Sequence, residues 1–176
     1  MPRGYLIWLT VFVTCVSLCS ACKVKREEAV PPGGEAAAPA EPPEGFSLIC
    51  ASDFKVANYK GQVLILDFWA TWCGPCKREI PHLIKLQEKY RDQGLTIVGI
   101  TFDDNPDKDV PPYAAKVGMN YVNVRGTDEM KGDYAIMGLP TIIIYDRDGN
   151  LDTKRDGYIG EEKLEEIIKR LLSPPA

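Results

Sequence analysis

The sequence predicts an α/β domain with a central mixed sheet flanked by helices, and three observations predict it. "VLILDFW" is a continuous apolar run holding a single acid, the pattern of a strand buried on both faces. The stretch after it places apolar residues at helical spacing and stops at Gly94, and "LTIVGI" follows as a second buried strand; strand, helix and strand in this order make a parallel pair with a crossover helix. Farther on, "TIIIYDRDGN" runs into a turn from which "LDTKRDGYI" can return antiparallel.

Taken in order, residues 1–21 have the layout of a secretory signal peptide: Arg3, a short apolar stretch, then small residues. The apolar stretch is short for a membrane span. Ser20 and Ala21 precede Cys22, and this end resembles the lipobox of bacterial lipoproteins, with Cys19 standing where an aliphatic residue is usual. That resemblance implies lipidation at Cys22; simple cleavage and an uncleaved signal anchor are the alternatives. Residues 22–45 are rich in Pro, Ala, Gly and Glu without apolar periodicity, so they cannot bury enough surface to fold and read as a disordered tether or a plain extension.

The folded domain is expected over residues 46–173. "FSLICASDFKVANYKG" suggests one or two short strands ending at the Lys60 and Gly61 turn, an N-terminal β extension. In the first helix Ile80, Leu83, Ile84 and Tyr90 share a face. "DVPPYAAKVGMNYVNVRG" reads as a short helix and a short strand, and "DEMKGDYAIMG" as a further helix. The last helix puts Leu164, Ile167, Ile168, Leu171 and Leu172 on one face, acids in its first turn, and Lys169 and Arg170 in its last, which suits the helix dipole.

A chain of 176 residues with a formal charge of −4 is not basic enough to suggest nucleic acid as a partner, and no charge block is long enough to be an electrostatic tail. Of six cysteines, Cys50, Cys73 and Cys76 belong to the folded domain. A pair two residues apart, where a buried strand meets a helix, has a definite chemical use. The helix N-terminus stabilises a thiolate on the first cysteine, which stays exposed, while the second sits inside the turn, so the pair can alternate between dithiol and disulfide. A zinc site would need Cys50 and His82 as further ligands, and no second ligand pair stands at finger-like spacing. A purely structural disulfide across so small a loop gains little. Cys50 reads as a buried apolar residue. "DDNPDKD" lacks the glycine and distal glutamate of a calcium loop and reads as a solvated loop and helix start; no metal or other cofactor is expected. Alternation along the strand places Trp69 inside and leaves Trp72 partly exposed as a contact surface.

"FWATWCGPCK" resembles the thioredoxin active-site signature, and the likeness extends over nearly all of residues 46–172. Asp67 matches the buried acid of thioredoxins, Pro81 the proline of the active-site helix, and "GLPT" the loop whose proline, here Pro140, is cis in the family. The helix and strand between Asp107 and Gly126 resemble the α/β insertion of the membrane-anchored, extracytoplasmic TlpA/ResA branch, and Glu79 falls on that branch's active-site glutamate.

The resemblance implies a thioredoxin fold and a thiol:disulfide oxidoreductase. Cys73 is the expected nucleophile and Cys76 the resolving thiol. Asp67 and Glu79 are the expected acceptors of the Cys76 proton, alone or together. Trp72, Gly74, Pro75, Leu139 and Pro140 are the expected substrate contacts. Expected partners are disulfide-bearing exported proteins, apocytochrome c among them, a DsbD- or CcdA-type membrane thiol transporter as electron donor, and the membrane through the N-terminal anchor. Thr141 stands where dedicated haem-maturation thioredoxins often carry a glutamate. A general reductase or isomerase is the alternative enzyme, and a client-binding module without turnover the alternative class. A peroxidase's reactive cysteine would not normally sit in WCGPC.

Overall fold

A computed structural model describes residues 43–173; the expected signal peptide, Cys22 and nearly all of the expected tether lie outside these. All of the described residues belong to one compact unit. Its elements are β1 (Ser47–Ile49), β2 (Val63–Trp69), α1 (Gly74–Tyr90), β3 (Leu95–Thr101), α2 (Pro106–Val117), β4 (Val122–Arg125), α3 (Asp128–Asp133), β5 (Thr141–Tyr145), β6 (Leu151–Asp156) and α4 (Glu161–Leu172).

The described strands form one mixed sheet in the order β1-β4-β3-β2-β5-β6. β2 and β3 run parallel, joined by α1, while β5 returns antiparallel to β2 and β6 antiparallel to β5. The extension contributes β1, which pairs parallel with β4 at the sheet edge. Beyond β1 the strand expectation fails: Ala51–Asp53 and Val56–Tyr59 are 3₁₀ turns. Alternation there is weak, and tertiary packing of Phe54 under the sheet decides the conformation. The helix expected over "DEMKGDYAIMG" stops at Asp133, and the chain then runs as a loop to Pro140.

Side-chain alternation along β2 sorts the core into two layers. Val63, Ile65 and Trp69 pack with Ile80, Leu83 and Leu86 of α1 and Leu164 of α4, whereas Leu64, Leu66 and Phe68 pack on the opposite face with Phe54 and Met130. Asp67 has the parity of the first set and so faces the α1 layer. Trp69 is fully buried, as expected, and its Nε1 donates to Asn123 Oδ1 at 2.9 Å. That bond crosses Gly99, where an added Cβ would lie 2.2 Å from Asn123 Oδ1.

Candidate active site

β2 ends by delivering the chain into a short turn at Thr71 and Trp72, and α1 begins directly after it. Cys73 is the N-cap of α1 and is joined to Cys76 by a disulfide; its Sγ accepts the Cys76 N–H at 3.2 Å. Pro75 stands in the first turn, where its missing N–H costs nothing. Cys73 is 5 % exposed and Cys76 0 %, which corrects the expectation of an exposed first sulfur. The helix start tucks into the apolar layer that holds Trp69 and Ala70, and Leu139 packs against that layer.

The turn is held from below by Asp103. Its carboxylate accepts the Thr71 N–H at 3.1 and 3.0 Å and the Thr101 hydroxyl at 2.6 Å, and the Thr71 hydroxyl also donates to it. The solvated-loop reading of "DDNPDKD" is thereby corrected at its first residue. Asp103 turns inward because the Thr71 N–H, in the turn after the strand, needs an acceptor.

Both acids named from sequence are buried. Asp67 has no hydrogen-bond partner for either carboxylate oxygen among the described residues. Burial, and next the nearby Glu79, hold its carboxyl well above the usual range. Glu79 lies one helical turn beyond Cys76 and is 0 % exposed. Its Oε1 accepts the Ile159 N–H at 2.8 Å, and its Oε2 has no partner among the described residues. Burial pushes Glu79 up to about 7 despite that N–H, which favours the anion. Tyr121, just before β4, is a third member that sequence reasoning missed: its hydroxyl is buried without a partner among the described residues, and burial followed by Asp67 raises its pKa. The two raised carboxyls can hold or accept a proton, Glu79 one helical turn from the second cysteine, while Tyr121 keeps its own proton.

The Leu139–Pro140 peptide bond is cis. Next to it opens a cleft of about 440 Å³ lined by Trp72, Phe102, Asp104, Lys131 and residues 136–139. Trp72 is 67 % exposed and Met137 88 %, so the cleft has an apolar rim. Trp72 and Leu139 were named from sequence, whereas Phe102 and Lys131, whose Nζ stands 4.7 Å from the Phe102 ring centroid, carried no local signal. Gly74, exposed, and Pro75 sit at the α1 start. Cys50 is half-buried rather than buried, with Arg125 Nη1 3.8 Å from its Sγ. It lies where the edge strand β1 gives way to a 3₁₀ turn, and an edge covers a side chain on fewer sides. His82 bonds Glu161.

The AhpC/TSA family model matches residues 41–154. The chain is 30 % identical over 118 residues to a thiol-disulfide oxidoreductase ResA of Bacillus thuringiensis subsp. konkukian, covering 66 % of this chain and 68 % of that protein. It is 31 % identical over 127 residues to the thioredoxin-like protein YneN of Bacillus subtilis, covering 70 % of this chain and 74 % of that one. A solved thiol:disulfide interchange protein of the thioredoxin family from Chlorobium tepidum superposes with a TM-score of 0.63 at 30 % identity, over 78 % of this chain and 100 % of that one. With family model, relatives and fold in agreement, the chain belongs to the AhpC/TSA family and is a thiol-disulfide oxidoreductase of the ResA type.

Proposed function

We propose that this oxidoreductase reduces disulfides in exported proteins at the outer face of a bacterial cytoplasmic membrane. The observation that carries the reading is the Cys73–Cys76 pair at the start of α1, with two buried carboxyls behind it and an open apolar cleft beside it. In the dithiol form the helix N-terminus favours a thiolate on Cys73. That thiolate attacks one sulfur of a client disulfide; the client S–S bond breaks, a mixed disulfide forms, and one client thiolate leaves. Cys76 then gives its proton to the Asp67 and Glu79 pair and attacks Cys73 Sγ. The mixed disulfide breaks, the second client thiolate departs, and the Cys73–Cys76 disulfide closes. Two electrons from a DsbD- or CcdA-type thiol transporter restore the dithiol. An extended client segment lies along Trp72, Gly74, Pro75, Leu139 and Pro140.

The secretory layout of residues 1–21 and the cysteine at 22 support an envelope location with a lipid anchor. Apocytochrome c is one candidate client, and Thr141 after Pro140 favours a wider set. Cys76→Ala tests the reading, since it stops resolution and leaves clients covalently held by Cys73. The expected result is a set of disulfide-bearing envelope proteins released by reductant, together with wild-type reduction of the same clients. Capture of the same proteins by Cys73→Ala, or wild-type binding without turnover, would point to a binding module instead.

A further inference from the structure

The connection between β6 and α4 carries no part of the chemistry above, yet it touches the site at two points. The Gly157 N–H donates to the Pro140 carbonyl at 2.8 Å, and the Ile159 N–H donates to Glu79 Oε1 at 2.8 Å. Tyr158, between them, points outward, with its hydroxyl 3.3 Å from His82 Nε2. Glu161, the first residue of α4, sets Oε2 2.7 Å from His82 Nδ1. His82 stands on α1 three residues after Glu79, the spacing of neighbours on one helix face. The connection is therefore fastened to α1 twice, by Glu79 on the inside and by His82 on the outside.

We propose that His82 is a positioning residue for Glu79: by gripping Tyr158 and Glu161 it holds the Ile159 N–H on the Glu79 carboxylate and so sets how readily that carboxylate takes the Cys76 proton. The inference rests on the reading of Glu79 as a proton acceptor. Glycines bound the connection at 157 and 160, and Gly157 has φ 82°, so its own backbone restrains it weakly. A buried carboxylate with one bonded oxygen depends on that N–H, because a donor aimed at the anion is the force opposing burial here.

The grip suits either protonation state of the imidazole. With the proton on Nδ1, the ring donates to Glu161 and accepts the Tyr158 hydroxyl proton; with both nitrogens protonated, the Tyr158 oxygen becomes the acceptor. The charged or titratable groups facing His82 are Glu161, Tyr158, Lys85, whose Nζ is 3.5 Å from Glu161, and Arg78, which stands over the Tyr158 ring at 5.7 Å. The outer side of this cluster also carries Glu162 and Glu165. On its inner side Glu79 is coupled to Asp67 of β2 and to Tyr121, raising both, while its own carboxyl is governed by burial and the Ile159 N–H. Replacing His82 leaves the Glu79 group intact.

The test titrates the Glu79 carboxyl by ¹³C NMR in the oxidised full-length protein, with Glu79→Gln to assign the signal, and follows mixed-disulfide resolution against pH. His82→Ala should raise the Glu79 midpoint by about one pH unit, since one N–H to the anion is lost. The resolution profile should move to higher pH by the same amount, with client capture unchanged. His82→Gln, which can still donate to Glu161, should restore most of the shift, and Tyr158→Phe, which removes one hydroxyl from an exposed ring, should show a smaller shift in the same direction. In a Glu79→Gln background, His82→Ala should move the profile no further. If His82→Ala and Tyr158→Phe both leave the midpoint at the wild-type value while Glu79→Gln flattens the profile, the positioning proposal falls and the acceptor reading stands. If Glu79→Gln leaves the profile unaltered, the acceptor reading falls, and the proposal falls with it.

Discussion

Glu79 and Asp67 are acids held in an apolar layer with three oxygens lacking a hydrogen-bond partner among the described residues, and this has a cost that pH reveals. An acid whose pKa in the fold lies above its unfolded value favours the fold when neutral. Its stabilising contribution is complete below the unfolded pKa and is lost as pH rises through the folded one. For Glu79 that window runs from 4.5 to about 7. The full shift corresponds to about 3 kcal/mol, and Asp67 acts in the same direction. Glu165, held down to about 2 chiefly by its hydrogen bond from Lys89, acts in the opposite sense but only below its ordinary range. Urea unfolding of the oxidised protein should therefore give a lower stability at pH 8 than at pH 5, and Glu79→Gln should lessen the fall. A wild type equally stable at both would show that neither acid is held neutral. At this scale Asp67 was legible, because a lone acid inside "VLILDFW" has nowhere to go but inward. Glu79 was legible through family resemblance, since its own helix reads as charged and solvated. Its partner Ile159 lies 80 residues away, a separation at which no local pattern signals contact.

Among the elements, the turn between β2 and α1 decides where the disulfide points, and Asp103 fastens that turn to the end of β3. The carboxylate satisfies a backbone N–H and two hydroxyls that would otherwise be left facing the core edge. Asp103→Ala should lower stability by about 2 kcal/mol, the cost of stranding partly buried donors. It should also change the rate at which Cys73 of the reduced protein is alkylated, because the residues leading into it lose their anchor. Asp103→Asn retains one acceptor oxygen and should cost less. Denaturant midpoints and timed alkylation of the three proteins measure both effects, and an Asp103→Ala protein with wild-type values would remove this role. The strands and helices beside the turn were legible as elements. The bond that ties them was not, for a run of acids after a strand reads as solvent-facing until the donors above it are placed.

For the whole molecule, the candidate site lies at one end of a mixed sheet, where β2 gives way to α1 and the loop before β5 carries Pro140. No helix among the described residues is long and apolar enough to cross a membrane; the proposed attachment is through the N-terminal residues. A lipidated Cys22 followed by a proline-rich spacer would leave the domain tethered yet able to reach clients. The full chain should then fractionate with membranes, and Cys22→Ala should release it or block its processing. Membrane association unaffected by Cys22→Ala would instead identify an uncleaved anchor.

The sequence by itself determined the sheet's central strands, the crossover helix, the terminal amphipathic helix and the redox character of Cys73 and Cys76. These rest on signals within a few residues of one another: apolar period, glycine stops, and a CxxC at a strand-to-helix junction. Only the tertiary structure decided that Cys73 is nearly buried, that Asp103 turns inward, that Tyr121 joins the carboxyl pair and that Ile159 meets Glu79. Each of these depends on which distant segment covers a polar group. Burial and hydrogen-bond partners are properties of the assembled layers, and no stretch of chain carries them alone.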